Sequence, residues 1–192
     1  MAKEIKNNHL YIDGCDTVEL AKTFGTPLYV YSVSEIREEC QKIQAQFLTR
    51  YSKTRAAYAA KAFCTTAMLQ VIKSGGLSLD VVSGGELYTA IQADFPAEHI
   101  EFNGNNKSIE ELAAALDYGV GRIIVDGIQE VGLIRALCQE KQVVAKILLR
   151  ITPEVSVSTH QFISTGQKDS KFGIPLDEEI LFPLVEEVIQ AP

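Results

Sequence analysis

The chain has 192 residues, 46% hydrophobic and 22% charged, which is enough for one domain with a substantial core. Its formal net charge of −7 comes without any basic run, which argues against nucleic acid as a partner, and no apolar stretch approaches membrane-spanning length. Cys15, Cys40, Cys64 and Cys138 lie far apart and in no metal-ligand spacing, and Met1-Ala2-Lys3-Glu4-Ile5-Lys6 has no apolar core behind its charges, so the reading is a cytoplasmic protein with reduced thiols, no metal and no signal peptide.

Residues 1–32 fit no regular alternation. His9–Ile12 and residues 28–32 read as short strands flanking a small helix at 16–24, with Thr26-Pro27 as the break between them. A helix at 34–48 follows. Five segments then read as strands that end in a polar residue: 55–61, 78–83, 99–103, 122–126 and 146–152. Amphipathic stretches lie between them. Residues 65–74 carry Met68, Leu69, Val71 and Ile72 and stop at Gly75-Gly76, a helix-end signal. Residues 85–93 carry Leu87, Tyr88 and Ile91. Ser108 is a good N-cap, with Glu110 and Glu111 in the first turn and Leu112 and Leu116 on the core side. Residues 128–140 carry Val131, Ile134, Leu137 and Cys138, and 180–190 reads as a last helix.

The markers Lys61, Asp80, Asn103, Asp126 and Arg150 are 19, 23, 23 and 24 positions apart. Strand–helix alternation at that interval means βαβ units and a parallel sheet. Polar groups ending several successive strands at one rim favour a (β/α)₈ barrel over a doubly wound open sheet. Ala57, Ala59, Val82, Ile124 and Leu148 are the expected inner row. A full barrel takes about 250 residues, and five or six units are present here. The expectation is therefore a partial barrel from the N-terminal part of a longer protein.

Lys61 is the most informative side chain. Strand alternation would place it with Ala57 and Ala59 on one face, a long amine beside methyl groups in a cramped, partly dry site. Such an amine is a usable nucleophile toward aldehydes; the plain alternative is an exposed lysine ending an edge strand. Asp80-Val81-Val82-Ser83-Gly84-Gly85-Glu86-Leu87 ends a strand and opens a helix, where glycines and unpaired N–H groups favour anions. It equally fits a tight turn in which Glu86 complements the helix dipole. Arg150, inside the apolar run Ile147-Leu148-Leu149-Arg150-Ile151, needs an anionic partner if buried, for which Asp80 or a ligand would serve; a structural ion pair is an equal alternative. The polar stretch 152–173, long for a βα connection, holds His160, Ser164, Thr165, Gly166, Asp169, Ser170 and Lys171. Asn103-Gly104-Asn105-Asn106-Lys107 reads adequately as a plain turn.

These segments carry a resemblance. Tyr58-Ala59-Ala60-Lys61-Ala62, Asp80 through Leu87, and Phe102-Asn103-Gly104-Asn105-Asn106-Lys107 resemble the fold-type III pyridoxal phosphate decarboxylases and alanine racemase. His160-Gln161-Phe162-Ile163-Ser164-Thr165-Gly166, followed by Ser170-Lys171-Phe172-Gly173, resembles the diaminopimelate decarboxylase branch, over roughly its N-terminal half. The resemblance implies that Lys61 bonds covalently to pyridoxal 5'-phosphate and that Asp80 lies near Lys61 and the cofactor. Glu86 would order the cofactor side of the pocket, Arg150 would sit beneath the ring near its O3′ side, and His160 through Gly166 would shape the substrate entrance. Residues 1–33 would pack against a C-terminal β-domain, with 34–192 forming the incomplete cofactor-binding barrel. The implied reaction is decarboxylation of meso-2,6-diaminopimelate to L-lysine by a homodimer, with an amino acid as the small-molecule substrate. The ring-stacking histidine, glycine-rich phosphate loop, ring-nitrogen glutamate and catalytic cysteine of that family would lie beyond Pro192, so negligible turnover is expected of these residues alone. Phe63 stands where many relatives carry Asn after Lys-Ala. Two rivals remain at this level: another decarboxylase of the group, acting on ornithine, arginine or carboxynorspermidine, and a non-catalytic homologue that binds partners.

Overall fold

Two tight turns fold the N-terminus of this computed structural model, which describes residues 3–153 and 172–190. Strands β1 (Lys3–Lys6), β2 (His9–Ile12) and β3 (Cys15–Asp16) form an antiparallel sheet in that order. Lys6 pairs with His9 and Ile12 with Cys15, so each connection has two residues. Asn7 and Asn8 (φ 50° and 65°), then Asp13 and Gly14 (48° and 78°), all lie in the left-handed region. That conformation matches the twist of a hairpin, and Asn, Asp and Gly tolerate it best. Asp16 caps α1 (Thr17–Phe24) by accepting from the Val18 N–H.

Helix α2 (Val33–Ile43) begins at Ser32, whose hydroxyl accepts from the Glu35 N–H at 3.0 Å. Asp13 joins the two N-terminal pieces: its carboxylate accepts from the Ser32 hydroxyl at 2.9 Å, the Ser34 N–H at 3.1 Å and the Ser34 hydroxyl. The Ser34 hydroxyl, first among these donors, holds the Asp13 carboxyl below the usual range. Helix α2 continues as one wide π turn, Gln44–Leu48. The expected single helix at 34–48 is thus an α-helix followed by a π turn. The side chain of Gln44 bonds the Gly75 and Gly76 carbonyls, at 3.2 and 2.9 Å, which ties this turn to the end of the next helix. The expected strand at 28–32 belongs to no sheet among the described residues; at its end the Ser32 carbonyl accepts instead from the Ile36 N–H at 3.2 Å, the start of α2.

Strand–helix units follow in the expected order. They are β4 (Ala57–Ala59), α3 (Thr66–Ser74), β5 (Ser78–Val81), α4 (Gly84–Gln92), β6 (Ile100–Phe102), α5 (Ile109–Tyr118), β7 (Arg122–Val125), α6 (Ile128–Lys141) and β8 (Ile147–Leu149). The five strands pair in parallel in sequence order. The expected strand at 146–152 breaks at Arg150. Its second half, β9 (Ile151–Thr152), pairs in parallel with β10 (Ile174–Pro175), which leads into α7 (Glu178–Ile189). The result is an α/β arc, part of a (β/α) barrel.

Register explains where the core lies. Leu79, Val81, Ile100, Phe102, Ile123 and Val125 face the helices and are essentially inaccessible. They pack against Leu69 and Ile72 of α3, Leu87 and Ala90 of α4, Leu112 and Ala115 of α5, and Val131 and Ile134 of α6. The opposite, concave face carries the row Ala59–Asp80–Glu101–Arg122, aligned strand to strand. Arg122 and Glu101 meet across it at 3.5 Å. The expected inner row is on this face, with Ile124 directly opposite Leu148. Its burial is less than a packed barrel interior would show: Ile124 is buried, whereas Leu148 is 45% exposed and Ala57 is exposed. No described strand faces it from across the arc.

Candidate active site

The C-terminal ends of the strands form one rim, and the chain delivers its chemistry there through the turns that leave each strand. The first correction concerns Lys61. It does not end a strand: β4 stops at Ala59, and Lys61 is the middle residue of a 3₁₀ turn, Ala60–Ala62. The turn swings the chain off the sheet and tucks the Ala60 methyl wholly into the core. Side-chain alternation therefore ends at Ala59, and Lys61 is exposed at the rim rather than cramped in a dry pocket.

Asp80 lies beside it. It is the third residue of β5, level with Ala59 and Glu101 on the concave face. Burial raises its pKa first; Glu101 and Glu86 add to that, while the Asn103 side chain and the positive charge of Lys61 oppose it. These groups together move Asp80 toward its acid form while an amine stands within electrostatic reach. A carboxyl whose folded pKa is raised destabilises the fold once it ionises, and that cost disappears as pH falls below the free value of 3.8. Asp80→Asn is therefore expected to melt at a higher temperature than wild type at pH 7 and to lose that advantage near pH 3. A lower melting temperature for the variant at pH 7 would contradict this account.

Glu86 acts on the backbone. It sits three residues after the N-cap Ser83, and its carboxylate accepts from the Val82 N–H at 2.8 Å. The same position in the next two helices is also glutamate. Glu111 closes a capping box with Ser108 and also accepts from the Gly84 N–H at 2.5 Å; Glu130 accepts from the Asp126 N–H at 3.0 Å. Each glutamate meets an N–H of a rim turn, so successive βα turns are held by the same device. The turn after β6 also needs Gly104: at φ +111°, a Cβ there would lie 2.8 Å from the Val82 carbonyl oxygen.

Arg150 forms a structural ion pair, one of the alternatives the sequence left open, but with Asp126 and not with Asp80. Its Nη1 donates to Asp126 Oδ1 at 3.0 Å, and its guanidinium lies 4.4 Å from the Phe172 ring centroid. Asp80 is several strands away, whereas Asp126 ends the adjacent strand β7 and is 5% exposed. Asp126 Oδ2 also accepts from the Gly173 N–H at 3.1 Å, so one carboxylate holds both Arg150 and the start of β10. Gly173 fits there because, at φ +78°, a Cβ would lie 2.6 Å from the Thr152 hydroxyl.

A buried charge network beneath this rim was not anticipated. Lys107, read above as part of a plain turn, has a side chain only 1% exposed and an Nζ 3.0 Å from Glu130 Oε2. The same Nζ donates to the Gly104 carbonyl at 2.6 Å and the Ile124 carbonyl at 2.8 Å, so all three of its protons have acceptors. Glu130 in turn holds the Asp126 backbone. The signal was present in the sequence: a glutamate three residues after a strand-ending turn, in three successive units. His160, Ser164, Thr165 and Gly166 lie outside the described residues. Among the described residues there is no cluster of His, Cys, Asp and Glu that could hold a metal, and no helix is long and apolar enough to cross a membrane.

Residues 33–191 match the family model described as the pyridoxal binding domain of pyridoxal-dependent decarboxylases. The chain belongs to this family. It is 48% identical over 190 residues to the diaminopimelate decarboxylase of Bacillus subtilis, covering 99% of this chain and 43% of that protein. With the diaminopimelate decarboxylase of Bacillus methanolicus it shares 53% identity over 171 residues, 89% of this chain and 40% of the relative. Among solved structures it superposes on the diaminopimelate decarboxylase of M. jannaschii in co-complex with L-lysine with a TM-score of 0.89 and 36% identity, covering all of this chain and 45% of the other. The chain thus spans less than half the length of the relatives it matches. The donor set at the rim suits a pyridoxal cofactor chemically. Lys61 is a reachable primary amine for an aldehyde, Asp80 a carboxyl beside it, and Arg150 a fixed cation for an anionic group.

Proposed function

We propose that the intact protein decarboxylates meso-2,6-diaminopimelate to L-lysine and CO2 with pyridoxal 5'-phosphate, acting in the cytoplasm as a homodimer. The observation that carries this reading is the near-complete match of the chain to diaminopimelate decarboxylases, together with the gathering of Lys61, Asp80 and Arg150 at one rim. The stretch His160 to Gly166 supports the choice of branch, and we assign it to the substrate entrance. The exposed Ile5, Phe24 and Tyr29 support a role for residues 1–33 in packing against a β-rich part of the intact protein, with 34–192 as the cofactor-binding unit.

Pyridoxal phosphate, when bound, supplies the electron sink that accepts the bonding pair left as CO2 departs. The residues of this chain bind, orient and handle protons around it. Lys61 would hold the cofactor through its amine; its exposed place on a short turn leaves the Nζ room to move. Asp80, a half-buried carboxyl within electrostatic reach of Lys61, is placed to accept and return a proton at that amine. Arg150 is held on one side by Asp126 and on one face by Phe172, so it offers an anionic partner a cation of fixed orientation. Glu86 fixes the turn after β5 through Val82 and thereby the level of Asp80.

The test is substrate preference. The intact protein with added cofactor should release CO2 from meso-diaminopimelate with a kcat/KM at least about 10²-fold above that for ornithine or arginine, because a site built to bond a polar substrate end rejects analogues lacking it. Faster turnover of ornithine or arginine would move the protein to another branch. Cofactor binding without CO2 release from any of the three would favour a non-catalytic homologue.

A further inference from the structure

We infer that Tyr58, acting with Phe63 and Tyr31, is a positioning residue for Lys61; this rests on the reading of Lys61 as the cofactor-binding amine. Among the described residues Lys61 forms no ion pair that would fix its turn, and other groups hold the backbone around it. The Tyr58 hydroxyl donates to the Phe63 carbonyl oxygen at 3.0 Å. That bond spans Ala59 to Ala62 and closes the turn on both sides of the lysine. Burial is the first cause that raises the Tyr58 pKa, so the hydroxyl keeps its proton and remains a donor across the working range. Tyr58 also packs against the hydrophobic core, whose members include Cys40 of α2 and Leu69 and Ile72 of α3. One side chain thus ties the lysine turn to that core.

The second brace comes from outside the barrel. The ring of Tyr31, which precedes α2, stacks on Phe63 with centroids 4.2 Å apart and planes inclined by 9°. Phe63 therefore receives a hydroxyl on its backbone and an aromatic ring on its side chain. An asparagine at that position would keep the first contact and lose the second. The N-terminal segment is coupled to the lysine turn through this stack, and Asp13 fixes the same segment from its other side through Ser32 and Ser34.

The step that reads this positioning is covalent capture. The neutral Lys61 amine attacks the aldehyde carbon of added pyridoxal 5'-phosphate, a C=N bond forms, and one water leaves. The intact protein stripped of cofactor is mixed with pyridoxal 5'-phosphate, quenched with borohydride at intervals, and the modified Lys61 peptide is quantified by mass. Tyr58→Phe should slow capture about three- to tenfold, the effect of losing one hydrogen bond of ordinary net strength. Tyr31→Leu should slow it about two- to fivefold, the scale of an aromatic pair. In a Lys61→Ala background, neither substitution should change the dissociation constant for pyridoxal 5'-phosphate measured by fluorescence quenching. A general loosening of the fold would instead weaken that affinity too. Unchanged capture by folded Tyr58→Phe, or matching losses of capture and affinity, overturns the inference. If Tyr58→Phe fails to fold, Tyr31→Leu decides by the same two measurements. Absence of capture at Lys61 in wild type would overturn the reading of the lysine itself, a separate outcome.

Discussion

Lys61→Ala in the intact protein is expected to abolish covalent attachment of pyridoxal 5'-phosphate and to lower decarboxylation by about 10³-fold or more, the scale of removing one group that serves as both nucleophile and proton carrier. Stability should hardly move. Lys61 is exposed and the core contact of its turn is made by Ala60, which the substitution leaves in place. The two measurements are the visible absorbance of the lysine-bound cofactor and the melting temperature of the cofactor-free protein. Loss of the band with an unchanged melting temperature is the expected pair. A variant that keeps both the band and most of its turnover would remove Lys61 from the chemistry. Arg150→Ala is a useful contrast, since it should leave covalent attachment possible while freeing one oxygen of the buried Asp126 carboxylate.

The largest loss of stability is expected from Glu130→Ala. The substitution leaves the Lys107 ammonium, 1% exposed, with two carbonyls and no counter-charge, and leaves the Asp126 N–H without its acceptor. Breaking a buried pair from one side costs about 3–5 kcal/mol. The denaturant midpoint of the intact protein reads it. Desolvation of a stranded charge is the larger part of that cost, so removing the second charge should restore most of it. Lys107→Met in the Glu130→Leu background should come back to within about 1–3 kcal/mol of wild type, the remainder being the unmatched Asp126 N–H. A double variant no better than Glu130→Ala would mean that the pair stabilises by attraction, not that its half is costly.

Much of the scaffold was legible because repetition over a βα unit is a strong signal. The spacing of Lys61, Asp80, Asn103, Asp126 and Arg150 placed all five near the ends of successive strands, and the periodic apolar residues located α3 to α7 to within a few positions. Ser108 and its glutamates were read correctly as a helix start. What failed depended on pairing across the sequence. For Arg150 the sequence offered Asp80, a ligand or a structural ion pair, because composition names possible partners but not their distance; the register puts Asp126, one unit back, within reach. Lys107 was read only as part of a plain turn, and its burial depends on a glutamate 23 positions later. The hairpin turns Asn7-Asn8 and Asp13-Gly14 carried a readable signal that was passed over, so β1 and β3 were not expected. Lys61 lies on a turn because β4 ends at Ala59, two residues earlier than expected, and the chain passes into a 3₁₀ turn at Ala60.

The aligned row Ala59–Asp80–Glu101–Arg122 has a consequence for how such a molecule can change. Moving one residue along any of these strands passes from a face that holds the helices on to the concave face of the arc. Scaffold and chemistry are therefore written in alternate letters of the same short words. A random substitution at an odd letter risks the fold, whereas one at an even letter alters what the molecule handles and leaves its shape alone. New specificities can accumulate on the concave side at little structural risk, provided Asp126, Glu130 and Lys107 keep the rim in place beneath them.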